Sequence, residues 1–235
     1  MLRAISFDLW FTLIWETKED EELYLRMRLE SLRDFLRGRG YEVPLETIRD
    51  LYLATRDFRM VVPPKELLRM IFMRLGLRLD EGSLEEASEA YAGSTDSFVP
   101  KVNEEAVQVL PELRKRGIRL ALVTNTSFSE RSIRAILRNV NLDHFDVIIT
   151  SCESGFLKPQ REIFSALIRR LGLTGSQVMH VGDSCYHDVI GAWNAGLRAL
   201  HYPRLIHLRG ASEEPCDFER IDSLRRLIEI VEMRE

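Results

Sequence analysis

Residues 4–8 have the sequence AISFD, a short apolar run that ends in an aspartate. Three later apolar runs, at residues 120–123, 147–149 and 178–181, are separated by segments with helical patterns. Such an alternation is typical of the parallel strands of an open α/β sheet. Ligands bind these sheets at the carboxyl ends of the strands. Polar side chains that follow the runs are therefore expected to meet in one crevice: Asp8, Thr124, Lys158, Asp183 and Asp188.

The sheet pattern is interrupted once, between about residues 14 and 120. Four segments in this gap have apolar residues at helical spacing, and the last is expected to begin at a capping box of Ser83 and Glu86. Past residue 100, strand and helix patterns alternate regularly, with Pro159 near the start of one helix. The sequence therefore predicts an α/β fold, in which a Rossmann-like parallel sheet flanked by helices carries an inserted α-helical bundle. The expected boundaries are 1–14 and 99–235 for the core and 15–98 for the bundle.

The composition is that of a soluble globular protein, with 45% apolar and 30% charged residues among 235. A formal net charge of −4 gives no support to a nucleic-acid partner. No apolar run approaches the ~20 residues that span a bilayer, and the first strand begins too close to the N-terminus for a signal peptide. We therefore expect a cytoplasmic protein without membrane or nucleic-acid partners.

The chain has three cysteines, Cys152, Cys185 and Cys216. They are odd in number and lack the spacing of a zinc site or of a disulfide framework. In a reducing cytosol, the simplest interpretation is that such residues are small buried apolar side chains. We therefore expect all three to be buried thiols.

Each polar residue at the predicted strand ends has an ordinary structural explanation when it is considered alone. An aspartate there is often a turn or helix-cap residue, and Lys158 could be a surface charge. Together, however, three carboxylates repel one another unless a cation lies between them. Because the set contains only oxygen ligands, it suits a hard divalent ion, of which Mg²⁺ fits best. Lys158 and the Thr124 hydroxyl suit an anionic group, so the combination is a layout for phosphoryl transfer.

Four motifs give these residues a specific context. They occur in order at residues 8–13 (DLWFTL), 123–125 (VTN), 155–159 (GFLKP) and 182–188 (GDSCYHD). In sequence and in order they resemble the four motifs of the haloacid dehalogenase-like hydrolase superfamily. The helical insert directly follows the first motif, and it resembles the C1 cap of that superfamily in position and helical character. The resemblance implies a hydrolase with a Rossmann-like core and a cap.

The resemblance also implies roles for the residues that match the motifs. Asp8 would be the nucleophile and would form an aspartyl intermediate. Thr124 and Lys158 would hold the transferring phosphoryl oxygens, and Asn125 would lie near the substrate. The implied partner is a small phosphorylated metabolite.

The same resemblance implies a Mg²⁺ site next to the nucleophile. Asp183 would ligate the metal together with Asp8 and the backbone carbonyl of Trp10. Asp188 would bind the metal or its water molecules.

Two residues of the first motif depart from the family pattern. Phosphatases of the superfamily usually carry a second aspartate two residues after the nucleophile, as general acid and then base, whereas this chain has Trp10. The next position, commonly glycine, is Phe11. A positioned acid or base contributes roughly 10²–10⁴ in rate. The sequence therefore predicts a phosphatase that is weak on alkyl phosphates, unless another residue supplies the proton.

Trp10 keeps two alternatives open: a 2-haloacid dehalogenase, or a catalytically weak binding or regulatory protein with this fold. Haloacid dehalogenases often place tyrosine at this position, and a halide leaves without a proton. Those enzymes need no metal, however, and do not usually keep paired acids such as Asp183 and Asp188. They also favour Ser-Asn where this chain has Thr124-Asn125. The fourth motif therefore favours the metal-dependent phosphatase.

Side chains of the insert are candidates for selecting the substrate: Tyr24, Arg26, Arg28, Arg56 and Arg59. A solvated helix face with salt bridges to neighbouring acids explains any one of them, and we favour that interpretation for each. His180 lies within a predicted strand, so we expect a core histidine with its hydrogen bonds satisfied rather than a ligand.

Overall fold

The structure, a computed structural model, describes residues 1–233. Its strands in that range are β1 (Ala4–Phe7), β2 (Ile14–Trp15), β3 (Lys101–Val102), β4 (Arg119–Thr124), β5 (Val147–Thr150), β6 (Val178–Gly182) and β7 (Arg198–His201). Five of them form one parallel sheet in the order β5-β4-β1-β6-β7. The predicted parallel α/β core is confirmed.

The α-helices of the described residues are α1 (Lys18–Arg37), α2 (Leu45–Leu53), α3 (Pro64–Arg74), α4 (Glu81–Gly93), α5 (Glu104–Lys115), α6 (Glu130–Asn139), α7 (Ser151–Ser154), α8 (Arg161–Leu171), α9 (Gly191–Asn194) and α10 (Arg226–Glu232). Within residues 1–233, none of the helices combines the length and apolar character needed to cross a membrane.

Helices cover both faces of the sheet. Leu122 of β4 belongs to an apolar cluster with residues of α5, α6 and α10, whereas its neighbour Val123 belongs to a second cluster with residues of α8. Side chains alternate along a strand, so a sheet buried on both sides needs apolar residues at successive positions. This explains why the strands are continuous apolar runs in the sequence.

β1 lies at the centre of the sheet and is fully buried. In its register, Phe7 pairs with Leu122 of β4 on one side and with Val181 of β6 on the other. The three strands therefore end at the same edge of the sheet. Residues that follow β1, β4 and β6 become neighbours there, although 117 positions separate the ends of β1 and β4 and 58 separate the ends of β4 and β6.

The helices α1–α4 lie in the chain between β2 and β3, and their buried faces form a third apolar cluster that includes Leu32, Tyr52 and Leu68. β2 and β3 pair in antiparallel fashion, with Ile14 opposite Val102, so the two ends of the insert are joined beside the core. The sequence did not indicate this ribbon, because strands of two residues show no periodicity. The division into domains at residues 1–14, 15–98 and 99–235 stays a prediction.

Two helix starts differ from the predictions. The side chain of Asp80, rather than that of Ser83, caps α4, because it accepts a hydrogen bond from the backbone N–H of Ser83 at 2.8 Å. Pro159 lies in the loop before α8 rather than within its first turn, and it is joined to Lys158 by a cis peptide bond.

The cysteine prediction is wrong for two of the three residues. Cys185 and Cys216 form a disulfide, with Cα atoms 5.7 Å apart. The two residues are separated by 31 positions, and the chain after β7 brings Cys216 back to the Cys185–Ile190 segment, which the spacing of cysteines could not show. Cys152 is buried and free, as predicted.

Candidate active site

Three carboxylates meet at the carboxyl edge of the sheet. Asp8 follows β1, Asp183 follows β6, and Asp188 lies in a π-helical segment at Cys185–Ile190. One oxygen from each carboxylate lies within 4.8 Å of the others, and the residues Asp8, Asp183 and Asp188 are 6%, 5% and 1% exposed. The predicted convergence is therefore present in the structure, and the charges are held away from water.

Lys158 lies between two of these carboxylates. Its Nζ contacts Asp8 Oδ1 and lies 2.5 Å from Asp188 Oδ1, and the side chain is 3% exposed. Burial alone would lower the pKa of Lys158, but the two carboxylates outweigh it and raise that pKa, so the lysine stays charged. Lys158 contacts two of the three carboxylates, and the Nη1 of Arg209 lies 3.9 Å from the third, which leaves an excess of negative charge.

That excess falls on Asp183. Burial, together with the neighbouring Asp8 and Asp188, raises the pKa of Asp183 to about 8. Asp188 behaves differently: burial raises its pKa, but Lys158 and His180 outweigh that effect and hold the pKa below its usual range. Burial, the largest effect on Asp8, raises the pKa of its carboxyl despite the contact with Lys158.

One oxygen of Asp183 has no hydrogen-bond partner. Within the described residues, Oδ2 is buried and unpaired, and the Nη1 of Arg209 is 3.9 Å away, beyond hydrogen-bonding distance. A buried carboxylate oxygen without a partner costs free energy that a bound cation would recover. The oxygen-only set of Asp8, Asp183 and Asp188 therefore fits a hard divalent cation such as Mg²⁺.

Asp188 is fixed by its surroundings. His180 Nε2 lies 3.1 Å from its Oδ1, and the backbone N–H of Ser184 donates to its Oδ2 at 3.0 Å. The other ring nitrogen of His180, Nδ1, lies 2.9 Å from Ser6 Oγ, so both nitrogens are paired. His180 is a satisfied core histidine, as predicted, and it also positions an acid of the site.

Gly182 leaves the space that Asp188 occupies. A Cβ added at this glycine would lie 2.2 Å from Asp188 Cγ, an impossible approach. We expect Gly182→Ala to displace the Asp188 carboxylate and to destabilise the protein by about 1–3 kcal/mol through overpacking. Urea unfolding measures the change. Gly93→Ala is the matched control, because a Cβ there would meet no atom closer than 3.5 Å, and equal stability of the two variants would contradict this account.

Thr124 and Asn125 follow one another at the end of β4. The Oγ1 of Thr124 is buried and has no hydrogen-bond partner among residues 1–233, so its hydrogen-bonding capacity is unused there. Asn125 is already engaged: its Nδ2 donates to the carbonyl of Lys158 at 3.1 Å, and its Oδ1 accepts from the Lys158 N–H at 2.8 Å. The Asn125 amide therefore positions the loop that carries Lys158.

Trp10 lies two residues after Asp8, where the family resemblance implies an acid. Its side chain is buried, and its ring lies 5.9 Å from that of Phe128. The next residue, Phe11, has a left-handed backbone with φ of 62°, a conformation that favours glycine. The guanidinium of Arg209 lies over the Phe11 ring at 4.7 Å.

Two adjoining cavities open at this edge. The smaller, about 250 Å³, is lined by the three carboxylates and Lys158, and the larger, about 600 Å³, lies toward the insert. Both are lined by Trp10, Met60, Asn125 and Arg209. Sequence reasoning missed Met60 and Arg209, as well as Glu16 in the larger cavity, because irregular segments carry them.

The insert contributes fewer of the candidate side chains than were considered. Tyr24 and Arg59 line the larger cavity, whereas Arg26 and Arg56 are exposed elsewhere. Arg28 is buried behind the cavity wall, where it donates to Tyr52 and Ser127 hydroxyls. The interpretation as a solvated face is therefore wrong for Arg28, Tyr24 and Arg59.

Comparison with known protein families identifies the family of this chain. Residues 2–196 match the model of the haloacid dehalogenase-like hydrolases, so the chain belongs to that family and the predicted hydrolase class is confirmed.

Curated relatives carry different names. A glyceraldehyde 3-phosphate phosphatase of Methanopyrus kandleri is 27% identical over 239 residues, with 98% of this chain and 97% of that protein covered. Haloacid dehalogenase-like hydrolase domain-containing protein 3 of Bos taurus is 30% identical over 136 residues, or 57% of this chain. The chain spans about half the length of that relative, 53%.

Solved structures share the fold over its whole length. A 2-haloacid dehalogenase from Pseudomonas syringae superposes with a TM-score of 0.67 and 22% identity, covering 100% of both chains. A HAD phosphatase from Thermococcus onnurineus superposes with a TM-score of 0.57 and 26% identity, covering 98% of both. The first likeness, below 25% identity, shows the fold alone.

Proposed function

We propose that this chain is a Mg²⁺-dependent phosphatase that hydrolyses a small phosphorylated metabolite through an aspartyl-phosphate on Asp8. The observation that carries the proposal is the buried group of Asp8, Lys158 and Asp183, in which one Asp183 oxygen lacks a partner. Relatives named as phosphatases, among them a glyceraldehyde 3-phosphate phosphatase, support the same activity. Residues 15–98 would serve as a C1-type cap over the larger cavity, and the expected location stays cytoplasmic.

The residues divide the reaction between them. Asp8 attacks phosphorus, while Lys158 and the free hydroxyl of Thr124 hold phosphoryl oxygens. Lys158 also offsets the charge of Asp8, and Asn125 holds the Lys158 backbone in place. Mg²⁺, held by Asp8, Asp183, the Trp10 carbonyl and Asp188 or its waters, would supply charge stabilisation of the transferring group.

The other candidate, a 2-haloacid dehalogenase, has one observation in its favour. Trp10 provides no proton, and a halide leaves without one. The trio of buried acids argues against it, because a halide-displacing site gains nothing from two additional carboxylates. A catalytically weak binding or regulatory protein is the third candidate.

A substrate panel separates these candidates. Phosphate esters and 2-haloacids are assayed with and without Mg²⁺. Metal-dependent phosphate release supports the phosphatase, and metal-independent halide release supports the dehalogenase. No turnover of either substrate class would leave the binding protein.

Trp10 is expected to make the rate depend on the leaving group. An aryl phosphate such as p-nitrophenyl phosphate needs no protonation of its leaving group, so it should be cleaved faster than an alkyl phosphate. Trp10→Asp should raise alkyl turnover by about 10-fold or more, and raise aryl turnover less, as initial rates will show. Trp10→Phe is the control, since it removes the indole without adding a carboxyl. The same gain in both variants would mean that indole bulk, not a missing acid, limits the rate.

A further inference from the structure

The direction from which Asp8 attacks phosphorus determines where the leaving group lies. Attacking and leaving oxygens lie roughly in line through phosphorus, so the leaving oxygen is on the side opposite Asp8. The small pocket around Asp8 adjoins the larger cavity, and the two share the lining residues Trp10, Met60, Asn125 and Arg209. The remainder of a bound ester therefore extends into the larger cavity, and a proton for its oxygen has to come from the wall of that cavity.

Two carboxyl groups line this wall, Glu16 and Glu21. Glu21 is exposed on α1, where water satisfies it. Glu16 directly follows β2, and its Oε2 is buried without a hydrogen-bond partner among the described residues. Buried polar atoms are normally paired, so an unpaired one at the wall of a cavity lacks a partner that the described residues do not supply.

The surroundings of Glu16 favour its protonated form. Burial, together with Glu21 and Asp20, raises the pKa of Glu16 to about 8, while Arg209 and Arg28 offset part of the effect. The other charged groups of the wall are Lys18 and Arg59. A carboxyl that keeps its proton at neutral pH can act as a general acid there.

We propose that Glu16 donates the proton to the leaving oxygen, in place of the aspartate that position 10 lacks. The inference rests on the proposed phosphatase function. As an Asp8 oxygen bonds to phosphorus, the bond from phosphorus to the leaving oxygen breaks and the Glu16 proton moves to that oxygen. The products are an alcohol, the aspartyl-phosphate and the Glu16 carboxylate.

The second half of the cycle restores both groups. Water attacks phosphorus of the aspartyl-phosphate, the Glu16 carboxylate accepts a proton from this water, and inorganic phosphate leaves with Asp8 regenerated. Glu16 then limits the deficit that Trp10 creates. Alkyl esters are cleaved more slowly than aryl esters, and the alkyl rate that remains depends on Glu16.

Glu16→Gln tests this assignment, because the amide has the same shape but cannot give up a proton in the same way. With glycerol 3-phosphate as the alkyl ester, kcat/KM should fall by roughly 10²-fold, whereas p-nitrophenyl phosphate should lose less than about 3-fold. In the wild type, the alkyl rate should decline above about pH 8, as Glu16 loses its proton. This decline should be absent in the variant. Glu22→Gln, an exposed residue of α1 outside both cavities, should change neither rate.

The outcomes separate the two proposals. An equal loss on both esters, or none on either, overturns the role of Glu16 while Asp8-dependent cleavage of the aryl ester leaves the phosphatase standing. If the wild type releases phosphate from neither ester, both the role of Glu16 and the phosphatase function are overturned. Thermal melting of Glu16→Gln checks that the variant is folded.

Discussion

Asp8→Asn is expected to reduce phosphate release by roughly 10⁴-fold or more, because the amide cannot form the aspartyl-phosphate. The fold should survive, since Lys158 keeps Asp188 as its partner at 2.5 Å. Steady-state assays with p-nitrophenyl phosphate measure the loss, and circular dichroism checks the fold.

Asp34→Asn provides the matched control for this substitution. Asp34 lies on α1, its side chain is 59% exposed, and it lines neither of the two cavities. Its turnover should equal that of the wild type. An Asp8→Asn protein that keeps its turnover would mean that water attacks directly or that another residue is the nucleophile.

Removal of the proposed Mg²⁺ is expected to have the second large effect. EDTA should abolish phosphate release and Mg²⁺ should restore it, because Asp8, Asp183 and Asp188 repel one another without a cation. Asp183→Asn should weaken Mg²⁺ binding by roughly 100-fold or more, since replacing even an outer partner of a metal ligand costs 10–100-fold. Titration of activity with Mg²⁺ measures this, and full activity in EDTA would contradict the metal site.

Stability gives an independent test of Asp183. The pKa of Asp183 is about 8 in the folded protein, whereas the ordinary aspartate pKa, which applies to the unfolded chain, is 3.8. Between these two pH values the folded state therefore binds a proton that the unfolded state releases. In EDTA, this group therefore makes the protein less stable as pH rises toward 8. Asp183→Asn lacks that contribution, and its melting temperature should fall less over the same range. Identical pH dependence of the melting temperature in both proteins would show that Asp183 is not a carboxyl with a raised pKa.

Much of the site could be predicted because its polar residues follow the carboxyl ends of strands that the sequence pattern reveals. Asp8, Thr124 and Asp183 each terminate or follow a strand, and parallel strands bring their carboxyl ends to one edge whatever the length of chain between them. Lys158 follows the apolar run at residues 147–149 by a short loop, and the structure places its Nζ against Asp8. Periodicity and order along the chain therefore carry the core of the site.

The rest depends on contacts that leave no pattern in the sequence. Arg209 reaches the site from a single 3₁₀ turn after β7, and the disulfide between Cys185 and Cys216 links the chain after β7 to the Cys185–Ile190 segment that carries Asp188. Glu16 sits one residue past a strand of only two residues. Neither segment has a period that could orient a side chain, so three-dimensional contacts alone reveal which residues line the cavity.

Two of the candidate arginines of the insert also show what sequence spacing cannot predict. Arg28 and Arg59 both looked like charges on a solvated face, yet Arg28 is 2% exposed and stacks on the Phe128 ring at 3.9 Å. Its helix α1 turns this side chain toward the core, where Ser127 accepts its hydrogen bond. Sequence spacing gives the face of a helix but not what that face meets.

The central claim is that Asp8 becomes phosphorylated, and a crystal structure of the protein with Mg²⁺ and beryllium fluoride tests it most directly. Beryllium fluoride mimics a phosphoryl group on a carboxylate. We expect it to be bonded to an Asp8 oxygen and in contact with Thr124 and Lys158, with Mg²⁺ held by Asp8 and Asp183. A free Asp8 carboxylate under these conditions, with the fluoride bound elsewhere or absent, would contradict the account.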